Sequence, residues 1–315
     1  MKNNKNMKSI IKIIAVFAFI FGFVGCEEYE NYIKDYEYTG VGFGAQQPVR
    51  TLVSRIGNDY LEFKIGVALS GVRENTTGYS ATFEIDPDLL TEIEGANQFT
   101  QLPEDWYTIE SNNNTFVIQP GTFLGDCPVK IDKEKFTNDP KSLVKTYALP
   151  LRLLSATTDS LITGKDYSII VIKYIDEHSG DYYCKGQEAE WDGIAIVPGT
   201  STVYSRVDLS SNKIRTLTTL ALTRFDMAGM GKEPGTGTGA EANHLLVNLV
   251  AGAVTLETLP GCNAVEDKGS MYNADTKTFT LNYIYTKEGK NFLVNETLTL
   301  RQDVEKELRF EAWTL

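Results

Sequence analysis

Leu61, Phe63, Ile65, Val67 and Leu69 alternate with Glu62, Lys64, Gly66 and Ala68. A period of two places the five apolar side chains on one face of a strand, and that face must be buried. Shorter runs of the same kind follow at 82–85, 115–119, 148–154 and 168–175, separated by clusters of Gly, Pro, Asn and Asp. Helical spacing is confined to one expected turn over 89–93, which Asp88 can cap and whose N-terminal dipole Glu92 favours.

The polar break Asp176-Glu177-His178-Ser179-Gly180-Asp181 follows a strand that reads as the last of its sheet, and it marks a domain boundary. Beyond it, residues 202–209, 213–224, 245–251, 254–259, 278–285 and 297–301 again read as strands. Thr276, Thr278 and Thr280 against Phe279, Leu281 and Tyr283 put one face on a core and the other in water. At 315 residues and 42% hydrophobic, the chain can bury two cores. The expected class is all-β with two domains. Residues 38–177 form an immunoglobulin-like β-sandwich, and residues 178–315 form an antiparallel sandwich or a lipocalin-like barrel. The Gly-rich stretch 229–239 reads as a flexible surface loop, and 230–243 is the longest loop.

The N-terminus carries Lys2, Lys5, Lys8 and Lys12, then twelve apolar residues from Ile13 to Val24, then Gly25-Cys26. That run is too short to cross a bilayer. Phe23-Val24-Gly25-Cys26 resembles a bacterial lipobox, with Phe23 where Leu is usual. Residues 1–25 are therefore expected as a lipoprotein signal peptide, Cys26 as the acylated residue and 26–37 as a tether. Glu27, Glu28 and Glu30 resemble the export signal of Bacteroidetes lipoproteins displayed on the outer face of the outer membrane. Without residues 1–25 the chain has 26 basic against 42 acidic residues, a net of −16. Nucleic acid is excluded as a partner on that charge, and membrane contact is expected through the N-terminal lipid only.

Between residues 38 and 175 the order of features is that of a known family. Phe83-Glu84-Ile85-Asp86, Leu89-Leu90, Asn97, Leu102-Pro103 with Tyr107, Val117-Ile118-Gln119-Pro120-Gly121 and Tyr147-Ala148-Leu149-Pro150-Leu151 carry it. The segment resembles the N-terminal β-sandwich, a domain of unknown function, of lipoproteins from Bacteroidetes polysaccharide-utilisation systems. Gly180-Asp181-Tyr182-Tyr183, Tyr272-Asn273-Ala274-Asp275 and Thr278-Phe279-Thr280-Leu281-Asn282-Tyr283 make the second half similar to its commonly paired C-terminal domain. The resemblance implies a surface protein that binds glycan beside the components of an outer-membrane glycan importer. Some relatives add an endoglycosidase barrel, but the D-x-x-D-x-D-x-E motif is missing here and 180–315 is too short for one.

Chemistry-bearing motifs are sparse. His178 and His244 are the two histidines, neither is spaced for a metal, and both are expected to be solvated or capping residues. No cofactor or metal is expected, and no catalytic residue is assigned. Asp86 with Asp88, Glu104 with Asp105, and Asp192 are acids of the kind a glycosidase pairs, and are read as solvated surface. Cys127, Cys184 and Cys262 remain after Cys26, and Cys184 with Cys262 can pair in an oxidising compartment.

Sugar binding asks for an exposed aromatic face with amides and carboxylates nearby. Trp191, flanked by Glu188, Glu190 and Asp192, has the most polar setting of the three tryptophans. Trp191 with Asp192, and Tyr272 with Asn273 in a later turn, are the expected glycan contacts. The expected function is a non-enzymatic, glycan-binding surface lipoprotein, its first domain a spacer and its second the contact surface. A structural or adhesive surface protein and a small glycoside hydrolase are the alternatives.

Overall fold

The computed structural model describes residues 38–235, 243–259, 262 and 264–314. The lipidation position Cys26 and the tether lie outside the described residues. The architecture is all-β in two units, and the second unit is a barrel.

In the first unit the strands are β1 (Gly40–Phe43), β2 (Pro48–Ser54), β3 (Tyr60–Ser70), β4 (Tyr79–Ile85), β5 (Thr100–Gln101), β6 (Tyr107–Ile109), β7 (Thr115–Ile118), β8 (Leu124–Asp132), β9 (Tyr147–Ala156), β10 (Ser160–Leu161) and β11 (Tyr167–Asp176). They make two facing sheets, ordered β10-β1-β3-β8-β6 and β2-β11-β9-β4-β7, with β5 beside β9. The stripe Leu61 to Leu69 is buried as its period demands, against Phe83, Phe116, Leu149 and Ile172 of the opposite sheet. Strand β11 reads Ile169-Ile170-Val171-Ile172 because both of its faces are covered. Ile170 and Ile172 enter the sandwich core, while Ile169 and Val171 enter a second cluster with Leu89, Leu90 and Phe99 on the sheet's outer side. The helical turn Leu89–Glu92 is the lid of that cluster. Asp88 precedes it without a side-chain cap, and the Asp88 N–H donates to the Asp86 carboxylate instead.

The second unit contains β12 (Gly180–Trp191), β13 (Thr202–Val203), β14 (Lys213–Ala221), β15 (Arg224–Ala228), β16 (His244–Val250), β17 (Ala253–Thr258), β18 (Val265–Asp267), β19 (Met271–Asn273), β20 (Thr278–Lys287) and β21 (Lys290–Leu300). All of its pairings are antiparallel, and β12 pairs with both β14 and β21, so the sheet closes on itself. Short strands β18 and β19 share one stave, each pairing with part of β20. An eight-staved barrel is just wide enough to be filled by side chains. Phe225, Met227, Leu245, Val247, Phe279, Leu281 and Leu298 do most of the filling.

The end of the barrel at Gly180 sits on the sandwich. There the Asp176 N–H donates to Thr219 Oγ1 at 2.9 Å, and the Thr223 N–H donates to the Asp176 carboxylate at 3.2 Å. His178 is buried at this junction, with Nδ1 2.7 Å from Asp176 and its ring 4.8 Å from that of Tyr272. The expectation of solvated or capping histidines fails here, because a polar break between two packed units becomes their interface.

After β21 the chain turns back to the first unit. A helical turn, Val304–Glu307, leads to β22 (Glu311–Ala312), which pairs antiparallel with β2 at the edge of the first unit's sheet. Trp313 fills the outer cluster, its ring 5.2 Å from Phe99 and its Nε1–H donating to Ile169 O at 2.7 Å. The arm is held by ion pairs of Arg55 with Asp303 (3.2 Å) and Glu305 (3.0 Å), and of Glu311 with Lys145 and Lys173.

These carboxylates make the arm acid-sensitive. The Lys145 and Lys173 ammoniums hold Glu311 below its ordinary 4.5, outweighing burial. Burial would raise Asp303, but the Glu305 N–H, Lys277 and Arg55 together hold it below 3.8. A folded-state pKa below the unfolded one gives stability that is present above the unfolded value and lost as pH falls through the folded one. The arm is therefore expected to be fully held above 4.5 and to loosen below 3.8. Amide exchange at Ala312, compared at neutral pH and at about pH 3 after correction for intrinsic rates, checks this. Undiminished protection in acid contradicts it.

Candidate functional site

The barrel's far end, remote from the sandwich, has a polar interior. Glu296, 1% exposed, accepts from Tyr204 OH (3.0 Å), Tyr283 OH (3.0 Å), Lys213 Nζ (3.2 Å) and Cys184 Sγ (3.5 Å). Glu188, also buried, accepts from Tyr285 OH at 3.2 Å. Burial first, and the neighbouring carboxylates second, push the Tyr204, Tyr283 and Tyr285 hydroxyls far up. The Cys184 thiol is pushed up to about 12 for the same reasons. All four groups thus remain protonated donors to the carboxylates.

Residues 229–233, the described start of the stretch expected as a surface loop, fill this space. Met230 and Gly231 are buried, and the Gly231 N–H donates to Tyr283 OH at 2.7 Å. Arg215 donates to Ala228 O (3.0 Å), Gly231 O (2.7 Å) and Glu233 O (3.1 Å). Lys213 Nζ also donates to Gly231 O. The Lys232 N–H donates to Glu188 at 2.8 Å, with the Lys232 ammonium 3.0 Å from the same carboxylate. Ionised groups inside a barrel need partners, and the loop backbone supplies them. Glu188 and Glu296 are consequently spent on binding this loop and the tyrosines.

The expected glycan contacts are dispersed. Tyr272 pairs with Phe279 on β20, whereas Trp191 pairs with Asn291, which pairs with Thr286 of β20. Seven residues of strand, roughly 23 Å at about 3.3 Å each, separate the two levels. Trp191 is half-buried beside Ile196, to which it is bridged, and Asp192 uses its carboxylate on the Ile194 and Ala195 N–H groups of its own turn. Those N–H groups hold the Asp192 carboxyl below its ordinary value. Tyr272 packs against His178 and Phe279, and Asn273 accepts from the Thr276 N–H. Two of the other expected acids are engaged, while Asp88 and Glu104 are exposed as expected. Asp86 pairs with Arg152, and Asp105 pairs with Lys135 at 2.9 Å. Trp106 anchors its turn on Phe136 and Tyr147. Cys127, Cys184 and Cys262 are all free thiols. Among the described residues no His, Cys, Asp and Glu group is arranged to hold a metal.

Open concave surface lies elsewhere: a depression of 870 Å³ beside Tyr38, Ser70 and Leu161 on the sandwich, and three smaller ones along the seam where the sandwich meets the returning arm and the barrel. One depression of 520 Å³ is lined by Thr51, Arg55, Asn58, Tyr60, Glu62, Lys130 and Glu305. A second, of 440 Å³, shares Asn58, Asp59 and Tyr60 and continues to Lys133, Asn138 and Leu222. A third, of 450 Å³, shares Thr51 and Leu308 with the first and ends at Phe310. The three form a continuous trough with two exposed aromatic rings, Tyr60 at 55% and Phe310 at 72%.

The local sequence explains the trough's centre. Gly57 adopts φ +85° in the turn between β2 and β3, and Asn58 and Asp59 complete that turn. Tyr60 then falls in the outward phase of the stripe strand, opposite to Leu61. The Asn58 amide, Asp59 carboxylate and Tyr60 hydroxyl make no side-chain hydrogen bond among the described residues. Lys130, raised by the Glu110 carboxylate at 2.6 Å, is a fixed cation at the trough wall. An outward tyrosine beside an Asn-Asp turn was the available signal in sequence.

A family model described as a "-like, N-terminal domain" matches residues 29–160. None of the curated proteins matches the chain. A solved structure of a Bacteroides ovatus protein of unknown function is similar, with TM-score 0.68 at 17% identity, covering 88% of this chain and 98% of its own. A Bacteroides thetaiotaomicron structure described as an auxiliary nutrient binding protein has TM-score 0.39 at 15% identity, covering 82% of this chain and 92% of its own. The first of these shares the two-unit fold over nearly its whole length.

Proposed function

We propose that this chain is a lipid-anchored protein of the outer-membrane surface that binds glycan without cleaving it, beside a glycan importer. The lipobox-like motif and the resemblance of residues 38–175 support the location and the partners. The observation that carries the binding reading is Tyr60, an exposed ring set between two polar depressions whose Asn58 and Asp59 groups are unengaged. A pyranose ring stacks on such a face, and its hydroxyls take the amide, carboxylate and ammonium around it. This reading adds a contact surface at the seam to the one expected from sequence in the second domain.

Affinity electrophoresis of residues 27–315 through a panel of polysaccharides, with sugar release assayed in parallel, tests this. Retardation by one class without release is expected. Tyr60→Ala is expected to weaken it about tenfold, the worth of roughly 1–1.5 kcal/mol of ring contact. Trp191→Ala, run alongside, reports on the contact expected from sequence. Retardation unchanged by Tyr60→Ala refutes the seam as the site.

A structural or adhesive role is the second reading. What favours it is an apolar rim on the barrel's far end, where Ile194, Ile196, Val203 and Val207 are exposed in the excursion between β12 and β14. Absence of retardation by every polysaccharide, together with retention of outer-membrane partners on the immobilised chain, would establish it.

A further inference from the structure

One peptide group of the loop inside the barrel is held from both sides. The carbonyl of Gly231 takes the Lys213 ammonium and the Arg215 guanidinium, and the N–H of Lys232, in the same peptide unit, takes the Glu188 carboxylate. Only glycine permits this approach. Gly229 and Gly231 have φ of +99° and +50°, and a Cβ would stand 1.6 Å from Arg215 Nη1 at the first and 2.2 Å from Glu188 Oε2 at the second. Beside Gly231, Tyr285 and Val294 each offer a carbon 3.3 Å from that Cβ position, an apolar wall.

The loop leaves one donor of the polar wall unused and holds one carboxylate oxygen through its own lysine. Arg215 is 6% exposed and its Nε has no hydrogen-bond partner among the described residues, and Glu188 Oε1 has its ion pair with Lys232 but no hydrogen bond. The same wall thus has a two-sided grip for one amide, an apolar surface beside it, an unpartnered donor at Arg215 Nε, and a carboxylate oxygen, Glu188 Oε1, held only by Lys232 of the loop itself. An acetamido substituent on a sugar ring has the matching parts: a carbonyl, an N–H, a methyl, and hydroxyls nearby.

We propose that the far end of the barrel is a binding cavity for the acetamido group of an N-acetylated sugar, and that Gly229–Glu233 occupies it as an internal stand-in. The sugar's carbonyl takes Lys213 and Arg215, its N–H takes Glu188, its methyl lies against Tyr285 and Val294, and ring hydroxyls reach Arg215 Nε and Glu188 Oε1. This rests on the glycan reading and adds the substituent that is read. Because the loop and the sugar compete, apparent affinity is lowered by the fraction of molecules whose loop is seated.

The test is calorimetric titration of residues 27–315 with methyl N-acetylglucosaminide, methyl glucoside and N-acetylglycine methylamide. Binding of the acetamido sugar alone is expected. Gly231→Ala, whose Cβ displaces the loop, is expected to tighten it at least tenfold, and Lys213→Met to weaken it at least tenfold. If Gly231→Ala does not fold, the Lys213→Met result decides. Equal binding of both sugars, absence of binding by wild type and variants, or equal binding of the peptide-like amide each overturns the proposal. Polysaccharide retardation of the same preparation and its loss in Tyr60→Ala are read independently. A protein that is retarded but takes no acetamido sugar disproves this inference and leaves the seam reading standing.

Discussion

Replacing Glu296 by alanine is expected to destabilise the barrel by about 3–5 kcal/mol, because removing one partner of a buried ionic cluster leaves the others uncompensated. The Glu296 side chain is fully buried, with Lys213 Nζ at 3.2 Å and Arg215 Nη2 at 4.0 Å. Tyr204 and Tyr283 also lose their acceptor. Glu296→Gln keeps the shape and the acceptor oxygen but removes the charge, so it is expected to cost less than the alanine variant. Its size then measures the ionic share of the cluster. Urea unfolding followed by amide exchange in β12 and β21 separates the barrel from the sandwich, which a single global transition in a two-unit chain does not. A loss below about 1 kcal/mol for Glu296→Ala would mean that the interior cations are already satisfied by the loop carbonyls.

The same cluster shows where the sequence was legible and where it was not. The stripe Leu61 to Leu69 and the continuous run in β11 were readable because apolar period alone fixes which faces are buried. In β14, Lys213 and Arg215 stand in phase with Leu217, and in β21 Glu296 stands in phase with Val294 and Leu298. Charges on the core phase were therefore in plain view. They passed unread because ionised side chains are ordinarily placed outward, and only closure of the sheet brings strands 83 residues apart into ion-pair contact. The Gly-rich loop passed unread for the converse reason. Its composition describes solvent-exposed coil, yet its backbone is what the interior charges require. Sandwich against barrel was undecidable from pattern, since alternation is the same in both and the β12–β21 pairing joins the first and last long strands. For the candidate site, Trp191 drew notice through its acidic flank. Asp192-Gly193 is a turn signal, however, and the carboxylate is consumed by that turn.

The arm at the C-terminus was the least legible element, and it carries the second large effect. Trp313→Ala is expected to destabilise the sandwich by about 3–5 kcal/mol, the cost of deleting a large buried aromatic side chain and leaving a cavity. Trp313 is 8% exposed, lies among Val49, Leu89, Ala148, Ile169 and Val171, and donates its indole N–H to Ile169 O. Nothing in a two-residue strand announces such a role, because period needs length and this burial is long-range. Phe310→Ala, three residues earlier, is the matched control: its ring is exposed, and its loss is expected to change stability by less than about 0.5 kcal/mol. Urea unfolding, with exchange at the β2 and β11 amides as the local readout, compares the two. If the variants behave alike, the arm lies loosely on the sheet edge and the seam trough loses one wall. If Trp313→Ala alone unfolds the outer cluster, the last strand is an integral part of the first unit. The trough between Tyr60 and Phe310 is then a rigid surface whose shape is set by both units together.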